Sequence, residues 1–196
     1  MYSQNNEEKF ILEHFKNRKG KFLDIGAYDG KTFSNTFALV ELGWSGLEIE
    51  ASPINFVNLM KNVRKPNVDL LCAAITPEGG ILDFYDSQGD AISTSDTAHR
   101  DKWSTMAGGV DWQKISIPSI TVNQLLETYG NDFDFIDVDV EGYSYELFCM
   151  FPWDKLDKCS LIIVEHDNRA KDIEKRLEPL GYKNVYQSAE NIILTR

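Results

Sequence analysis

Short apolar runs alternate along the chain with segments whose apolar residues recur every three to four positions. Lys21-Phe-Leu-Asp-Ile25 is the first such run, and Trp44 to Glu50, Val68 to Ile75, Phe133 to Asp139 and Leu161 to Glu165 repeat its character. Runs of this length read as buried strands of a parallel sheet. The intervening segments carry helix signals. Residues 31–42 close at Gly43, and Ser52-Pro53 caps a helix that runs from Asn55 to Val63 and stops before Pro66. Thr121 caps Val122 to Tyr129, which ends at Gly130; Ser144 to Met150 ends at Phe151-Pro152; residues 169–180 end at Gly181. A leading helix over residues 5–18 ends near Gly20, and Val185 to Gln187 with Ile192 to Thr195 predicts a closing antiparallel hairpin. The β-α-β-α-β order predicts an α/β fold with a mostly parallel central sheet flanked by helices.

Residues 76–120 interrupt this rhythm. Pro77-Glu-Gly-Gly80 is a turn, and Ile81 to Tyr85 pairs with a strand over Ile115 to Ile120. Between them, residues 87–112 are rich in Ser, Thr, Asp and Gly but also contain His99, Arg100, Trp103, Met106 and Trp112. A polar segment of this length is either a mobile surface loop or a substrate-binding lid. With 196 residues the chain suits one domain, residues 1–196, with an N-terminal helix over 1–20 and a lid-like insertion over 87–112.

Composition narrows the classes of function. At 42% hydrophobic and 26% charged, the chain is an ordinary globular one with no apolar run long enough to span a bilayer. The polar, acidic start lacks the features of a secretory leader, so a cytoplasmic location is expected, without a membrane partner. The net charge of −11 and the absence of a dense Lys/Arg cluster argue against nucleic acid. Cys72, Cys149 and Cys159 show no Cys-x-x-Cys spacing and read as buried, reduced thiols.

The candidate chemistry begins at the turn after the first run, Asp24-Ile-Gly26-Ala-Tyr28-Asp-Gly30. A strand-to-helix turn at the carboxyl end of a parallel strand is where open α/β sheets bind ligands. The glycines are spaced Gly-x-x-x-Gly with Asp29 in the loop, where its charge opposes a pyrophosphate. S-adenosylmethionine brings a sulfonium and an ammonium, so carboxylates at the turn help: Asp24, and Asp29 beside it, can face the ammonium. Glu50, at the end of the second strand, suits both ribose hydroxyls, since two carboxylate oxygens match a vicinal diol. Glu48 points the same way one pleat deeper. Tyr28 in the turn and Ala73 and Ala74 at the end of the third run complete the expected cofactor wall with Gly26, Gly30 and Asp139.

Four ordered blocks carry a resemblance: Phe-Leu-Asp24-Ile-Gly26-Ala-Tyr-Asp-Gly30; Trp-Ser-Gly-Leu-Glu-Ile-Glu50-Ala-Ser-Pro53; Thr121-Val-Asn-Gln-Leu-Leu; and Ile-Asp-Val-Asp139-Val-Glu141-Gly142-Tyr-Ser-Tyr-Glu-Leu-Phe148. Over roughly residues 20–165 the chain resembles FkbM-type S-adenosylmethionine-dependent methyltransferases. The resemblance implies a Rossmann-like class I methyltransferase fold and O-methylation of a sugar-like or other small hydroxylated acceptor. It also singles out Glu141-Gly142. Where such proteins usually carry a lysine, this chain has Asp137.

For the transfer itself, two arrangements at the strand ends compete. In one, Asp139 or Glu141 positions the acceptor and His166, or His99 from the lid, is the general base. In the other, Asp139 with Asp167 and Asn168 holds Mg2+, as an Asp followed by an Asp-Asn pair resembles the metal site of catechol O-methyltransferases. Two other functions remain open at this level: an NAD-dependent oxidoreductase, disfavoured by the missing Gly-x-Gly-x-x-Gly, and a non-catalytic binding protein with a methyltransferase fold.

Overall fold

The computed structural model describes residues 1–16, 18–106 and 109–196; Asn17, in the expected leading helix, and Ala107 and Gly108, in the expected lid, lie outside the described residues. In chain order the strands are β1 (Lys21–Ile25), β2 (Ser45–Glu50), β3 (Val68–Cys72), β4 (Ala74–Ile75), β5 (Gly80–Asp86), β6 (Gln113–Ile120), β7 (Phe135–Val138), β8 (Leu161–Glu165), β9 (Lys183–Gln187) and β10 (Asn191–Thr195). The helices are α1 (Glu7–Phe15), α2 (Phe37–Glu41), α3 (Pro53–Asn62), α4 (Thr97–Ser104), α5 (Val122–Tyr129), α6 (Ser144–Met150) and α7 (Ala170–Leu177). Among the described residues the main sheet has seven strands in the order β3-β2-β1-β7-β8-β10-β9. β3, β2, β1, β7 and β8 pair in parallel, and β10 runs antiparallel to both β8 and β9. Among those residues no helix is long and apolar enough to cross a membrane.

Local chemistry fixes several of these boundaries. The Ser52 hydroxyl accepts the Asn55 amide hydrogen with Pro53 in the first turn of α3. At α5, Thr121 accepts from the Gln124 amide while the Gln124 side chain accepts from the Thr121 amide, a reciprocal capping box. Each such cap contributes about 1 kcal/mol.

Two expected elements differ. The helix expected over residues 31–42 is only Phe37–Glu41, because Ser34 Oγ accepts from the amides of Thr36 and Phe37 and holds the preceding chain in a turn. The run Val68–Ile75 divides at Ala73. Its partner β2 ends at Glu50 opposite Cys72, so Ala74 and Ile75 leave the main sheet and pair instead with Ser119 and Ile120 of β6. β4, β6 and β5 make a small second sheet; β5 and β6 pair as expected, and their direction is antiparallel.

Both faces of the main sheet are covered. Leu23, Ile25, Ile136, Val138, Ile162 and Val164 pack against the side of α5, α6 and α7. Phe22, Phe135, Leu161 and Ile163 pack on the other face with Ile11, Phe15, Leu39 and Leu59 of α1, α2 and α3. Each fully buried side chain of this size contributes roughly 1.5–3 kcal/mol. That second face also carries an unusual row: Glu48, Asp24 and Asp137 sit opposite one another on β2, β1 and β7. All three are buried.

Candidate active site

The carboxyl ends of β1, β2 and β7 open into two adjoining cavities that share Gly26, Asp139, Glu141 and Ala91. The first, roughly 610 Å³ counting its open mouth, is walled by Glu50, Ala73, Ala74, Phe84 and Tyr143. The second, roughly 530 Å³, is walled by Asp24, Tyr28, Phe33, Asn35 and Asp137.

Gly26 makes the junction possible. Its φ of +98° is open to glycine, and a Cβ there would fall on the carbonyl oxygen of Asp139. Its amide, like that of Ala27, donates to the Ile49 carbonyl, which pins the turn to the end of β2. Glu50 is buried beside it and accepts from the amides of Tyr28 at 2.8 Å and Ser52 at 2.6 Å. Burial pushes its carboxyl up to about 7 against the pull of those two amides. Between the turn and Ala51, it lines the first cavity.

Burial also pushes Asp24 up to about 6, although the Thr36 hydroxyl donates to its Oδ2 at 2.6 Å. Burial and the nearby Asp24 charge raise both Glu48 and Asp137 well above the usual carboxylate range. Both Glu48 oxygens are buried without a partner. A carboxyl whose folded pKa is raised loses stability as pH rises from its unfolded value through the folded one. Glu48→Gln, neutral throughout, should therefore be more thermostable than the parent by a margin that grows between pH 5 and pH 8; equal Tm differences at both would contradict this.

Asp139 lies at the shared edge, its carboxyl raised well above the ordinary range by burial and then by Glu165 and Glu141. Glu165, the last residue of β8, is pushed up to about 7 by burial and the Glu141 charge, and it accepts from the Ser144 hydroxyl at 2.7 Å. Beyond the end of β7, Glu141 takes φ +48°, a strained value for a residue with a side chain, and Gly142 takes φ +84°, which glycine adopts freely. His99 packs over Gly142, and its Nε2 lies 3.2 Å from Glu141 Oε2, close enough for an ion pair though not aligned as a hydrogen bond. The insertion that carries His99 contains α4, capped by Asp96, whose eight residues show no apolar stripe that would signal a helix. Insertion residues bind three cleft elements: Thr94 Oγ1 donates to the Glu141 carbonyl, Tyr28 Oη to the Gly89 carbonyl and Asn55 Nδ2 to the Asp90 carbonyl.

Thus Asp24, Gly26, Tyr28, Glu50, Ala73, Ala74, Asp139 and Glu141 are brought together around the cavities, with His99 behind Glu141. Others are not. Gly30 faces inward, where a Cβ would strike Leu59 and Val63 of the α3 segment. Asp29 is consumed locally, accepting from the Lys31 and Thr32 amides. His166 lines neither cavity: its Nδ1 accepts from the Asn168 amide and its Nε2 faces the Ser188 carbonyl of the hairpin. Asp167 accepts from the Tyr145 amide at the start of α6, and Asn168 is exposed. The expected Mg2+ set of Asp139, Asp167 and Asn168 is therefore not assembled. Among the described residues no three His, Cys, Asp or Glu side chains converge to hold a metal. Glu165, Tyr143 and Asn35 were not expected at the site; only Glu165 had a signal, a carboxylate closing an apolar strand.

The strand order with its one reversed strand, and the cleft at the ends of β1, β2 and β7, are those of the class I methyltransferase fold. The chain belongs to the methyltransferase FkbM domain family, whose model matches residues 24–184. No curated protein sequence matches the chain. Among solved structures, the ribosomal protein L11 methylase from Lactobacillus delbrueckii subsp. bulgaricus is 13% identical with a TM-score of 0.52, covering 97% of this chain and 77% of its own. The precorrin-6y C5,15-methyltransferase from Geobacter metallireducens is 14% identical with a TM-score of 0.50, covering 96% and 86%. At such identities the likeness is one of fold, and two proteins named for such different acceptors show that the fold does not select the acceptor. The family decides against the nicotinamide-dependent alternative.

Proposed function

We propose that the two cavities serve S-adenosylmethionine and a small hydroxylated, sugar-like acceptor, and that the reaction is O-methylation. The observation that carries this reading is the buried Glu50 carboxylate, held beside Gly26 at the wall of the first cavity. S-adenosylmethionine, when bound, supplies an electrophilic methyl group. Glu50 accepts hydrogen bonds from the ribose hydroxyls, Ala73, Ala74 and Tyr143 line the adenine side, and Asp24 and Asp139 attract the ammonium. Glu141, at the edge shared by both cavities, orients the acceptor hydroxyl, and His99 behind it receives the proton. The loop 87–96 closes over the junction as a lid through Ala91 and Thr94.

Binding calorimetry with S-adenosylmethionine, S-adenosylhomocysteine and NAD tests the cofactor. Both sulfur ligands should bind and NAD should not; silence from both sulfur ligands would remove the proposal. Labelled methyl transfer to a panel of hydroxylated sugars, scored as acid-stable methyl ether, tests oxygen as the nucleophile.

A further inference from the structure

Phe33 stands at the mouth of the second cavity under conditions that the fold does not explain. Its φ is +59°, a left-handed value that is costly for a bulky side chain and that turns ordinarily give to glycine or asparagine. The same loop uses glycine for such geometry at Gly26 and Gly30. The ring gains no burial in return: Phe33 is 56% exposed, whereas Phe37, at the start of α2, is buried.

The chain is tied down on both sides of it. Asp29 accepts from the amides of Lys31 and Thr32, and Ser34 Oγ from those of Thr36 and Phe37. The segment before α1 folds back to the same place, where Ser3 pairs with Phe33 in a parallel bridge and Gln4 joins the cavity wall. That segment is itself anchored. The Tyr2 amide donates to Glu8 Oε2 at 2.6 Å, and the Asn5 amide donates at 2.9 Å to Oε2 of the fully buried Glu7. A ring on strained backbone, held outward at a cavity rim by its neighbours' bonds, serves what enters the cavity rather than the core.

The rim also selects the chemistry of its occupant. Asp24 and Asp139 lie deeper and take the cofactor's ammonium, so the acceptor has the mouth, where Gln4, Thr32 and Phe33 are exposed. Among the described residues the wall carries no Lys, Arg or His, and its carboxylates would repel an anionic acceptor. An aromatic face with an amide beside it matches an uncharged ring that is apolar on its faces and hydroxylated at its edge. The negative face of the aromatic ring attracts polarised C–H bonds, and the Gln4 amide can both donate and accept.

We propose that Phe33 is the stacking platform, and Gln4 the hydroxyl-reading partner, of a subsite for an uncharged pyranose, and that Phe33 sets the specificity for acceptors of this class. This rests on reading the two cavities as cofactor and acceptor sites.

The test uses the full chain saturated with S-adenosylhomocysteine. The probes are the methyl pyranosides of D-glucose, D-galactose and D-mannose, with D-glucitol, which keeps the hydroxyls without a ring, and D-glucuronate, which keeps the ring but adds a charge. At least one pyranoside should bind, about tenfold or more tighter than glucitol and glucuronate. Phe33→Ala and Phe33→Leu should weaken it about tenfold, the scale of an aromatic contact, and Phe33→Trp should retain it. Gln4→Ala should narrow the differences among the three pyranosides, which vary only in hydroxyl orientation. Phe33→Gly should lose the pyranoside too, yet unfold at no lower temperature than the parent, because glycine is at ease at this φ.

No pyranoside binding, affinities no better than those of glucitol or glucuronate, tighter binding of catechol than of every pyranoside, or undiminished binding by Phe33→Leu would overturn the proposal. So would a clearly lower unfolding temperature in Phe33→Gly, which would make the ring a structural prop. Phe33 variants that weakened S-adenosylhomocysteine as much as the pyranoside would also overturn it, by making the ring a cofactor contact. Unchanged discrimination in Gln4→Ala would remove Gln4 from the subsite. Failure of the unaltered protein to bind S-adenosylhomocysteine would instead strike at the cofactor reading.

Discussion

Glu50→Gln should lower affinity for S-adenosylhomocysteine about 100-fold, as expected for losing two hydrogen bonds to a charged acceptor. Glutamine keeps the shape but offers an NH2 where the carboxylate now accepts from the Tyr28 and Ser52 amides. The substitution should therefore damage the proposed diol contact and the turn's anchor together. The same residue should make binding pH-dependent. With its carboxyl near 7 in the free protein and hydroxyl donors favouring the ionised form, affinity should be full above pH 7 and decline as pH falls below it. Isothermal titration between pH 5.5 and 8 reads both effects. A flat profile, or a Glu50→Gln protein binding as tightly as the parent, would move the ribose elsewhere.

Gly26→Ala should be the most damaging glycine-to-alanine change among the described residues. Two costs combine: alanine is strained at φ +98°, and its methyl would coincide with the Asp139 carbonyl oxygen. The backbone on either side cannot yield easily, because the Gly26 amide is bonded to Ile49 and the Asp139 amide to the Ile25 carbonyl. A loss of about 3 kcal/mol or more is expected, from backbone strain plus overpacking. It would appear as a lower denaturant midpoint, with ligand binding lost in whatever fraction remains folded. An unchanged midpoint would show that the turn has room it does not display.

The features that could be read from the sequence were those in which local chemistry and tertiary packing agree. The turn at Asp24–Gly30, the Ser52-Pro53 cap, the Thr121 capping box and the closing hairpin are specified by neighbours a few residues apart. The place of Glu50 at the cavity wall was legible because a strand's end and its position in a parallel sheet fix where the last side chain goes. His166 stands one residue beyond the end of β8, and its ring is turned to the hairpin beside Asp167 and Asn168, which adopt φ +46° and +62°. No short-range pattern announces that reversal. Asn35 and Asp137 meet across 102 positions, and β3 ends where it does because β2 ends, a fact held by another segment. Side-chain direction just beyond an element, and pairs made by topology, are what one-dimensional reading misses.

Gly142 limits how this protein can be recombined. A side chain there would place its Cβ 2.9 Å from the Cβ of His99, so the loop after β7 and the helix of the insertion are shaped to each other. The segment from Ser87 to Trp112 is thus no interchangeable cassette. A chimera importing the corresponding segment of a relative would have to import its own solution at Gly142 and Glu141 as well, and the two stretches should be inherited together.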